Sequence, residues 1–96
     1  MIGYAKTLAL EVAKDGINVN TICPGYVETQ RLEKVFSGGT KPADAMRREL
    51  EGEVPMGRIG TVEDIAHLVA LLVSPKGNYI TGTVIPVDGG LFRAVR

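Results

Sequence analysis

A short strand that ends in a Pro-Gly corner constrains the fold of this chain more than any other stretch. Between Ile17 and Cys23, β-branched residues recur on one side at a period of two, which predicts a β-strand. Pro24 cannot donate a ladder hydrogen bond and holds the preceding residue extended, so the strand is expected to end there. Gly25 has no Cβ, which allows a tight turn or the close approach of a ligand. Such corners commonly bind ligands in open α/β sheets, although the same dipeptide also simply joins two elements.

Composition and charge narrow the classes of protein to which the chain can belong. Its 11 acidic and 11 basic residues give no net charge, which disfavours binding to nucleic acid or to an anionic membrane. The single cysteine, Cys23, cannot form an internal disulfide and lies in an apolar strand, which indicates a buried, reduced thiol. The longest apolar run, Leu68–Val73, is too short to cross a bilayer. These features predict a soluble, cytoplasmic protein without a metal site.

Hydrophobic periodicity predicts three helices. They are Met1–Asp15, Ala43–Glu51 and Val62–Val73. Gly16 suits the left-handed residue that commonly closes a helix, and Pro42 suits a first helical position. Thr61, with Asp64 three residues later, matches a capping box at the start of the last helix. That helix is expected to bury an apolar stripe made of Val62, Ile65, Ala66, Val69, Leu72 and Val73.

The segment between the corner and the second helix has no regular pattern. Periodicity is broken over residues 30–41, and the Ser-Gly-Gly-Thr run at 37–40 predicts a flexible link of the kind that lets a lid move. The hydroxyl of Thr29, which precedes this segment, can cap a helix or can bind a phosphate together with free backbone N–H groups. The residues alone leave both roles open.

A second strand is predicted at Tyr79–Val87, interrupted by Gly82 and Pro86. Because proline removes a ladder donor, Pro86 indicates an edge strand, and Asp88–Gly90 is expected to follow it as a flexible corner. The order helix, strand, helical crossover, strand predicts an α/β fold with parallel strands. A parallel sheet is normally wider and covered on both faces, so the strand at Ile17–Cys23 is expected to be the margin of a larger sheet, incomplete as it stands.

Tyr4, Lys6 and His67 are the candidate acid–base groups. Tyr4 and Lys6 lie two residues apart on a helix and point away from each other, so they cannot act at one site. We expect Tyr4 at the boundary of the core and Lys6 in solvent. His67 follows Glu63 by four residues and Asp64 by three, which favours a helix-surface interaction over catalysis. None of these residues is predicted to be catalytic.

Seven short segments, in their order and spacing, resemble one known family. They are Leu8–Glu11, Ile17–Asn20, Pro24–Thr29, Pro55–Arg58, Glu63–Ala66, Ile80–Gly82 and Val87–Gly90. Together they resemble the carboxyl-terminal part of short-chain dehydrogenases/reductases, over almost the whole chain. The resemblance implies the C-terminal portion of a Rossmann-like, doubly wound parallel sheet, and NAD or NADP as the cofactor. It also implies that Pro24 and Gly25 lie against the nicotinamide. The Val27 backbone is then expected to hold the carboxamide, and Thr29 to contact the carboxamide or the pyrophosphate.

The resemblance further implies which parts of such an enzyme this sequence does not contain. The family's glycine-rich cofactor motif, its catalytic Asn and Ser, and its Tyr-x-x-x-Lys pair would all precede the position of Met1. We therefore expect residues 1–96 to be the C-terminal fragment of a single domain, with a substrate-loop region at 30–52. Met1 is expected to be an internal methionine, the result of a split or frame-shifted gene, or a cut end. The chain alone is expected to be inactive and to bind dinucleotide very weakly.

Two functions stay open at this point. The first is a fragment of an NAD(P)-dependent oxidoreductase that transfers a hydride between the nicotinamide and a carbonyl or secondary alcohol. The resemblance favours the 3-oxoacyl thioesters of fatty acid biosynthesis as substrates. The second is a non-enzymatic remnant that serves as an oligomerisation or interaction module, since Val62–Val73 and Thr83–Val87 resemble elements that build subunit interfaces. In either case the unpaired strand is expected to need a partner, a second copy or the N-terminal portion of the same protein. The sequence does not distinguish NAD from NADP.

Overall fold

Two parallel strands joined by a helical crossover form the centre of the molecule. The computed structural model describes residues 2–39 and 41–92; the predictions for Met1 and for Thr40 lie outside this part of the chain. The helices are α1 (Ile2–Val12), α2 (Gln30–Ser37), α3 (Ala43–Glu53) and α4 (Val62–Val73), with 3₁₀ turns at Ala13–Asp15 and Pro75–Gly77. The strands are β1 (Thr21–Pro24) and β2 (Val84–Val87). This arrangement confirms the predicted α/β class with parallel strands.

The two strands pair in register, with Thr21 opposite Val84 and Pro24 opposite Val87. The ladder is bounded by hydrogen bonds from the Thr21 N–H to the Thr83 carbonyl (2.9 Å) and from the Gly25 N–H to the Val87 carbonyl (3.0 Å). Both strands are shorter than predicted, because regular pairing begins only at Thr21. Pro24 is the last residue of β1, as predicted.

In the stretch before β1, side-chain hydrogen bonds are interleaved with a backbone bond from the Gly82 N–H to the Val19 carbonyl (2.8 Å) and interrupt the regular ladder. Asn20 donates from Nδ2 to the Ile80 carbonyl (3.0 Å) and accepts at Oδ1 from the Thr83 N–H (3.2 Å). The Val19 N–H donates to Oγ1 of Thr81 (3.0 Å). Amide and hydroxyl side chains thus satisfy backbone groups that a strand would pair with backbone. The prediction of continuous strands over Ile17–Cys23 and Tyr79–Val87 was wrong for this reason.

One edge of β1 has no neighbouring strand among the described residues. The N–H groups of Thr21 and Gly25 point toward β2. Because successive backbone groups alternate along a strand, those of Ile22 point to the opposite edge. The position of Pro86 agrees with this picture, since β2 also lies at an edge of the two-stranded sheet and tolerates the missing N–H there.

The start of α4 confirms the predicted capping box. The Thr61 hydroxyl accepts from the Asp64 N–H (3.3 Å), and the Asp64 carboxylate accepts from the Thr61 N–H (2.7 Å). The helix also has the predicted bounds. Its predicted burial was wrong: Val62 is 56% exposed and Val73 is 79% exposed. An apolar helical stripe is buried only where a sheet or helix covers it, and the two strands described here do not cover this one.

The core is small for a chain of this length. The buried apolar side chains of the described residues are Ala9, Phe36, Val54 and Ile59. The radius of gyration is 16.3 Å and the principal dimensions are 52 × 25 × 23 Å, whereas a compact domain of this length has a radius of gyration of about 12 Å. The elongated shape leaves large apolar side chains in solvent on both α1 and α4, including Leu10 and Val69.

The first helix behaves partly as predicted. Gly16 closes it in the left-handed conformation, with φ at 75°. Lys6 is exposed as expected, but its Nζ also donates to the Gly82 carbonyl (2.8 Å) and ties α1 to the loop before β2. Tyr4 is 72% exposed, so its expected place at the boundary of the core was wrong.

Two further predictions concern the whole chain. Cys23 is half-buried rather than buried. Within the described residues, no helix is long and apolar enough to cross a membrane.

The capping carboxylate of α4 predicts a specific pH dependence of stability. Arg58 Nη1 donates to Asp64 Oδ2 (2.9 Å), and this bond, followed by that from the Thr61 N–H, lowers the pKa of Asp64 to about 2. Because the folded-state pKa lies below the unfolded value of about 4, the stabilisation is present above pH 4. It is lost as the pH falls toward 2.

We therefore expect the variant Asp64→Asn to melt below the wild type at neutral pH, with the difference shrinking between pH 4 and pH 2. Thermal melts followed by circular dichroism over this range measure it. Glu63→Gln is the matched control, since Glu63 lies on the same helical turn and is exposed. A difference in melting temperature between Asp64→Asn and wild type that stays constant down to pH 2 would contradict the low pKa of Asp64 as its cause.

Candidate functional site

The corner after β1 is shaped by the close approach of two strand ends. A Cβ added at Gly25 would lie 2.8 Å from the Cβ of Asp88 and 2.9 Å from its Cα. Such distances do not occur between real side-chain carbons and backbone, so the position requires glycine. The sequence left open whether Gly25 serves a turn or a ligand; its nearest neighbour in the structure is Asp88, immediately after β2.

The turn after β2 is fastened by hydrogen bonds. Asp88 accepts at Oδ1 from the Gly90 N–H (2.9 Å) and at Oδ2 from the Phe92 N–H (3.0 Å). The Gly89 carbonyl accepts from the Met56 N–H (3.0 Å), and Gly89 and Gly90 both have positive φ. The Asp-Gly-Gly corner, which was expected to be flexible, is therefore a bonded turn that packs against Gly25.

Val27 forms a single parallel bridge with Gly60. The Gly60 N–H donates to the Tyr26 carbonyl (2.8 Å), and the Glu28 N–H donates to the Gly60 carbonyl (2.8 Å). Because backbone groups alternate in direction, the N–H and C=O of Val27 itself point away from Gly60. Among residues 2–39 and 41–92, neither group has a hydrogen-bond partner. The bridge thus presents one free donor and one free acceptor, both from the same residue.

An open groove of about 590 Å³ lies beside this residue. It is lined by Pro24, Gly25, Val27, Thr29, Arg31, Val62, Ile65 and Ala66. All four residues predicted to bind the cofactor (Pro24, Gly25, Val27 and Thr29) therefore line the same groove. The first turns of α4 form the apolar remainder of its lining. The convergence arises because the bridge at Gly60 brings the start of α4 next to the corner.

Thr29 sits where the corner passes into α2. Its Oγ1 accepts from the Leu32 N–H (3.3 Å), and its carbonyl accepts from the Glu33 N–H (3.1 Å). The capping role that the sequence left open is therefore present, and the hydroxyl hydrogen stays available for a second contact. The sequence-based prediction missed both α2 and Arg31. The available signal for α2 was the Thr29 cap followed by Leu32, Val35 and Phe36 at helical spacing; no pattern in the sequence pointed to Arg31.

Helix α3 is tied to the corner by polar contacts. The Glu28 carboxylate pairs with Arg47, whose guanidinium lies 5.5 Å from the centre of the Phe36 ring. The Tyr26 hydroxyl donates to Glu53 Oε2 (2.6 Å). This hydrogen bond raises the pKa of Tyr26 above its ordinary value. Tyr26 is thereby a poor proton donor, and it lines a different cavity.

That second cavity, of about 150 Å³, lies between the corner and the Asp88 turn. Its lining includes Tyr26, Arg58 and Asp64, and it shares Val27 with the groove. Arg58 and Asp64 are already paired with each other. The small volume and the paired charges indicate a packing gap at the junction of loops rather than a second site.

The remaining candidate groups lie away from the groove. His67 is exposed on α4 and does not line it, and neither does Tyr4 or Lys6. The described residues contain no cluster of three His, Cys, Asp or Glu side chains suited to a metal ion. The groove residues can therefore bind and orient a ligand, but they offer no side chain with the pKa of a general acid or base at neutral pH.

Comparison with known proteins identifies the family. A family model described as enoyl-(acyl carrier protein) reductase matches residues 1–92. The 3-oxoacyl-[acyl-carrier-protein] reductase FabG of Salmonella typhimurium is 39% identical over 92 residues, which cover 96% of this chain and 35% of the relative. The chain thus spans about a third of the length of the curated relatives it matches.

Solved structures agree with this assignment. A short chain dehydrogenase family protein from Francisella tularensis matches with a TM-score of 0.84 and 38% identity, covering 94% of this chain and 39% of that one. YwfH, an NADPH-dependent reductase involved in bacilysin biosynthesis, matches with a TM-score of 0.88 and 32% identity over 96% of this chain and 36% of its own. These matches, over a parallel Rossmann-type architecture, show that the chain belongs to the short-chain dehydrogenase/reductase family.

Proposed function

We propose that this chain forms the nicotinamide side of the cofactor site in an NAD(P)-dependent oxidoreductase. The reaction is hydride transfer between the nicotinamide and a carbonyl or secondary alcohol, with 3-oxoacyl thioesters as the substrate class. The proposal includes a cytoplasmic location and residues 30–52 as the segment beside the substrate. The observation that carries it is the free N–H and C=O of Val27 beside the groove.

These two backbone groups match a carboxamide. An amide side group offers one carbonyl oxygen as acceptor and one NH₂ as donor, so the Val27 N–H and C=O can satisfy both at once. The apolar lining from Val62 and Ile65 suits the flat face of an aromatic ring, and Pro24 and Gly25 allow its close approach. Thr29 has a hydroxyl hydrogen left for a further contact. When bound, the cofactor supplies the hydride chemistry, and these residues orient it.

Proton transfer has to come from elsewhere. No tyrosine, lysine or histidine is among the residues that line the groove, and Tyr26 is engaged by Glu53. General acid–base help contributes about 10²–10⁴-fold to such reactions. We therefore propose that this chain alone binds the nicotinamide weakly and does not turn substrate over.

The unpaired strand edge supports an assembly as part of this proposal. Ile22 directs its backbone groups to an edge that no described strand covers, and apolar side chains such as Val69 and Val73 are exposed on α4. An open strand edge with apolar surface nearby is a template for another chain. We propose that a second copy, or the N-terminal portion of the same protein, covers this edge. The same features support the non-enzymatic alternative, an interaction module.

Nicotinamide titration tests the proposed site directly. With ¹⁵N-labelled chain, we expect the amide signals of Val27 and Gly25 to shift with added nicotinamide, because the carboxamide contacts the Val27 backbone. Nicotinic acid, which has a carboxylate in place of the amide donor, is the matched control and should shift them less. Unchanged Val27 signals at high nicotinamide concentration would rule the site out.

Binding of the whole dinucleotide is expected to be very weak. Calorimetry with millimolar NAD or NADP is expected to show no saturation.

Turnover by the isolated chain is expected to be absent. Purified chain with NADH or NADPH and a 3-oxoacyl thioester should oxidise no cofactor above a blank preparation, since no groove residue can donate a proton. Absorbance at the nicotinamide band measures this, and a sample purified from a host without competing reductases serves as the control. Cofactor oxidation that follows the chain through purification would show that it carries its own acid.

Amide exchange tests the open edge. In dilute monomer the Ile22 amide should exchange rapidly, whereas the Thr21 amide, bonded to the Thr83 carbonyl, should be protected and serves as the internal control. Protection of Ile22 is expected to rise with protein concentration, together with the sedimentation coefficient. A monodisperse monomer in which Ile22 is as well protected as Thr21 would show that the chain closes its own sheet.

A further inference from the structure

Arg31 is the one charged residue among the described residues that line the groove. The other described lining residues are apolar or uncharged, and none of them is acidic. The side chain is exposed, so it is available to a ligand. A positive charge with no acidic neighbour gives a groove a preference for negative groups even where the charge is exposed, although water weakens that preference. The groove is therefore cationic on one side and apolar on the other.

The ion pairs of the described residues do not include this charge. They are Lys41–Glu49, Arg47–Glu28 and Arg58–Asp64. Arg31 is in none of them, so no described carboxylate lies within 4.0 Å of its guanidinium. The nearest acid in sequence at the corner, Glu28, is engaged by Arg47. Arg31 is also the second residue of α2, where the helix dipole disfavours a cation. Stability alone thus gives no reason for an arginine at this position.

We propose that Arg31 recognises an anionic oxygen group, a phosphate or a carboxylate, on the molecule that occupies the groove. Arg31 is then a specificity-determining residue of the site. This inference rests on the proposed function, which says what molecule occupies the groove. Guanidinium pairs with both kinds of group through two parallel hydrogen bonds. The anionic group belongs either to the cofactor, next to the nicotinamide ribose, or to the carbonyl substrate.

Two matched ligand pairs separate these sources. Nicotinamide mononucleotide and nicotinamide riboside differ only in a phosphate, and acetoacetate and methyl acetoacetate differ in that a methyl ester replaces the charged carboxylate. Each is titrated into ¹⁵N-labelled wild-type chain, Arg31→Gln and Arg48→Gln. Arg48 is an exposed arginine of α3 outside the groove lining and is the control for net charge. Because neither side chain makes an ion pair in the described structure, the amide spectra should show that both variants keep the fold.

We expect the anionic member of one pair to bind about three- to fivefold more tightly than its partner, the range of an exposed ion pair. This preference should disappear in Arg31→Gln, persist in Arg48→Gln, and weaken with added salt. The pair that shows it identifies the source of the anion. If neither pair shows a preference, or if the preference survives in Arg31→Gln, the role of Arg31 is wrong.

The Val27 amide reports on the proposed function separately. A Val27 response to nicotinamide riboside in every variant, without an anion preference, would uphold the nicotinamide site and overturn the role of Arg31. An anion preference that depends on Arg31 without any Val27 response would uphold the anion recognition and overturn the nicotinamide assignment. The two proposals therefore fail independently.

Discussion

The close approach of Gly25 to Asp88 is the constraint on which the rest of the corner depends. Parallel strands end on the same side of a sheet, so the segments that leave β1 and β2 must either diverge or pack tightly. Here they pack, with no space for a Cβ at Gly25. The Asp88 carboxylate then holds its own turn closed, and Gly89 binds the Met56 N–H. The connector between α3 and α4, residues 54–61, is thereby fixed to the end of the sheet.

The same constraint generates the candidate site. Once the connector is fixed, Gly60 meets the chain at Val27 and forms both bonds of a parallel bridge. An extended residue that is bridged through its neighbours directs its own N–H and C=O to the opposite side. The unpaired donor and acceptor of Val27 are therefore a geometric consequence of the bridge. Thr29 follows at the point where α2 must be capped, so one short segment provides packing, the proposed recognition groups and a helix start.

Prediction from sequence succeeded where local chemistry determines structure. The capping box of Thr61 and Asp64 gave the start of α4, and Pro24 gave the end of β1. It failed where contacts distant in sequence decide. Helix α2 has Leu32, Val35 and Phe36 at helical spacing, but it is only eight residues long. Its Phe36 packs against Arg47, which lies eleven positions away in the chain on another helix. The strands were predicted too long because asparagine and threonine side chains satisfy the backbone before β1. The stripe of α4 was predicted buried because periodicity records which face is apolar, not whether anything covers it.

Recognition and proton transfer have different structural requirements, and under the proposed function this chain provides groups for the first only. The groups that fit a carboxamide belong to Pro24–Thr29, a contiguous segment whose conformation is set by the Gly25 and Gly60 contacts. A general acid must instead lie within hydrogen-bond reach of the reacting oxygen, and positioning it contributes orders of magnitude to the rate. No side chain in the groove lining meets that requirement. Because the proposed recognition uses the backbone of Val27, other β-formers at this position would present the same donor and acceptor. Under that proposal, the nicotinamide site depends on the spacing from the Pro-Gly corner to the capping threonine more than on any single reactive side chain.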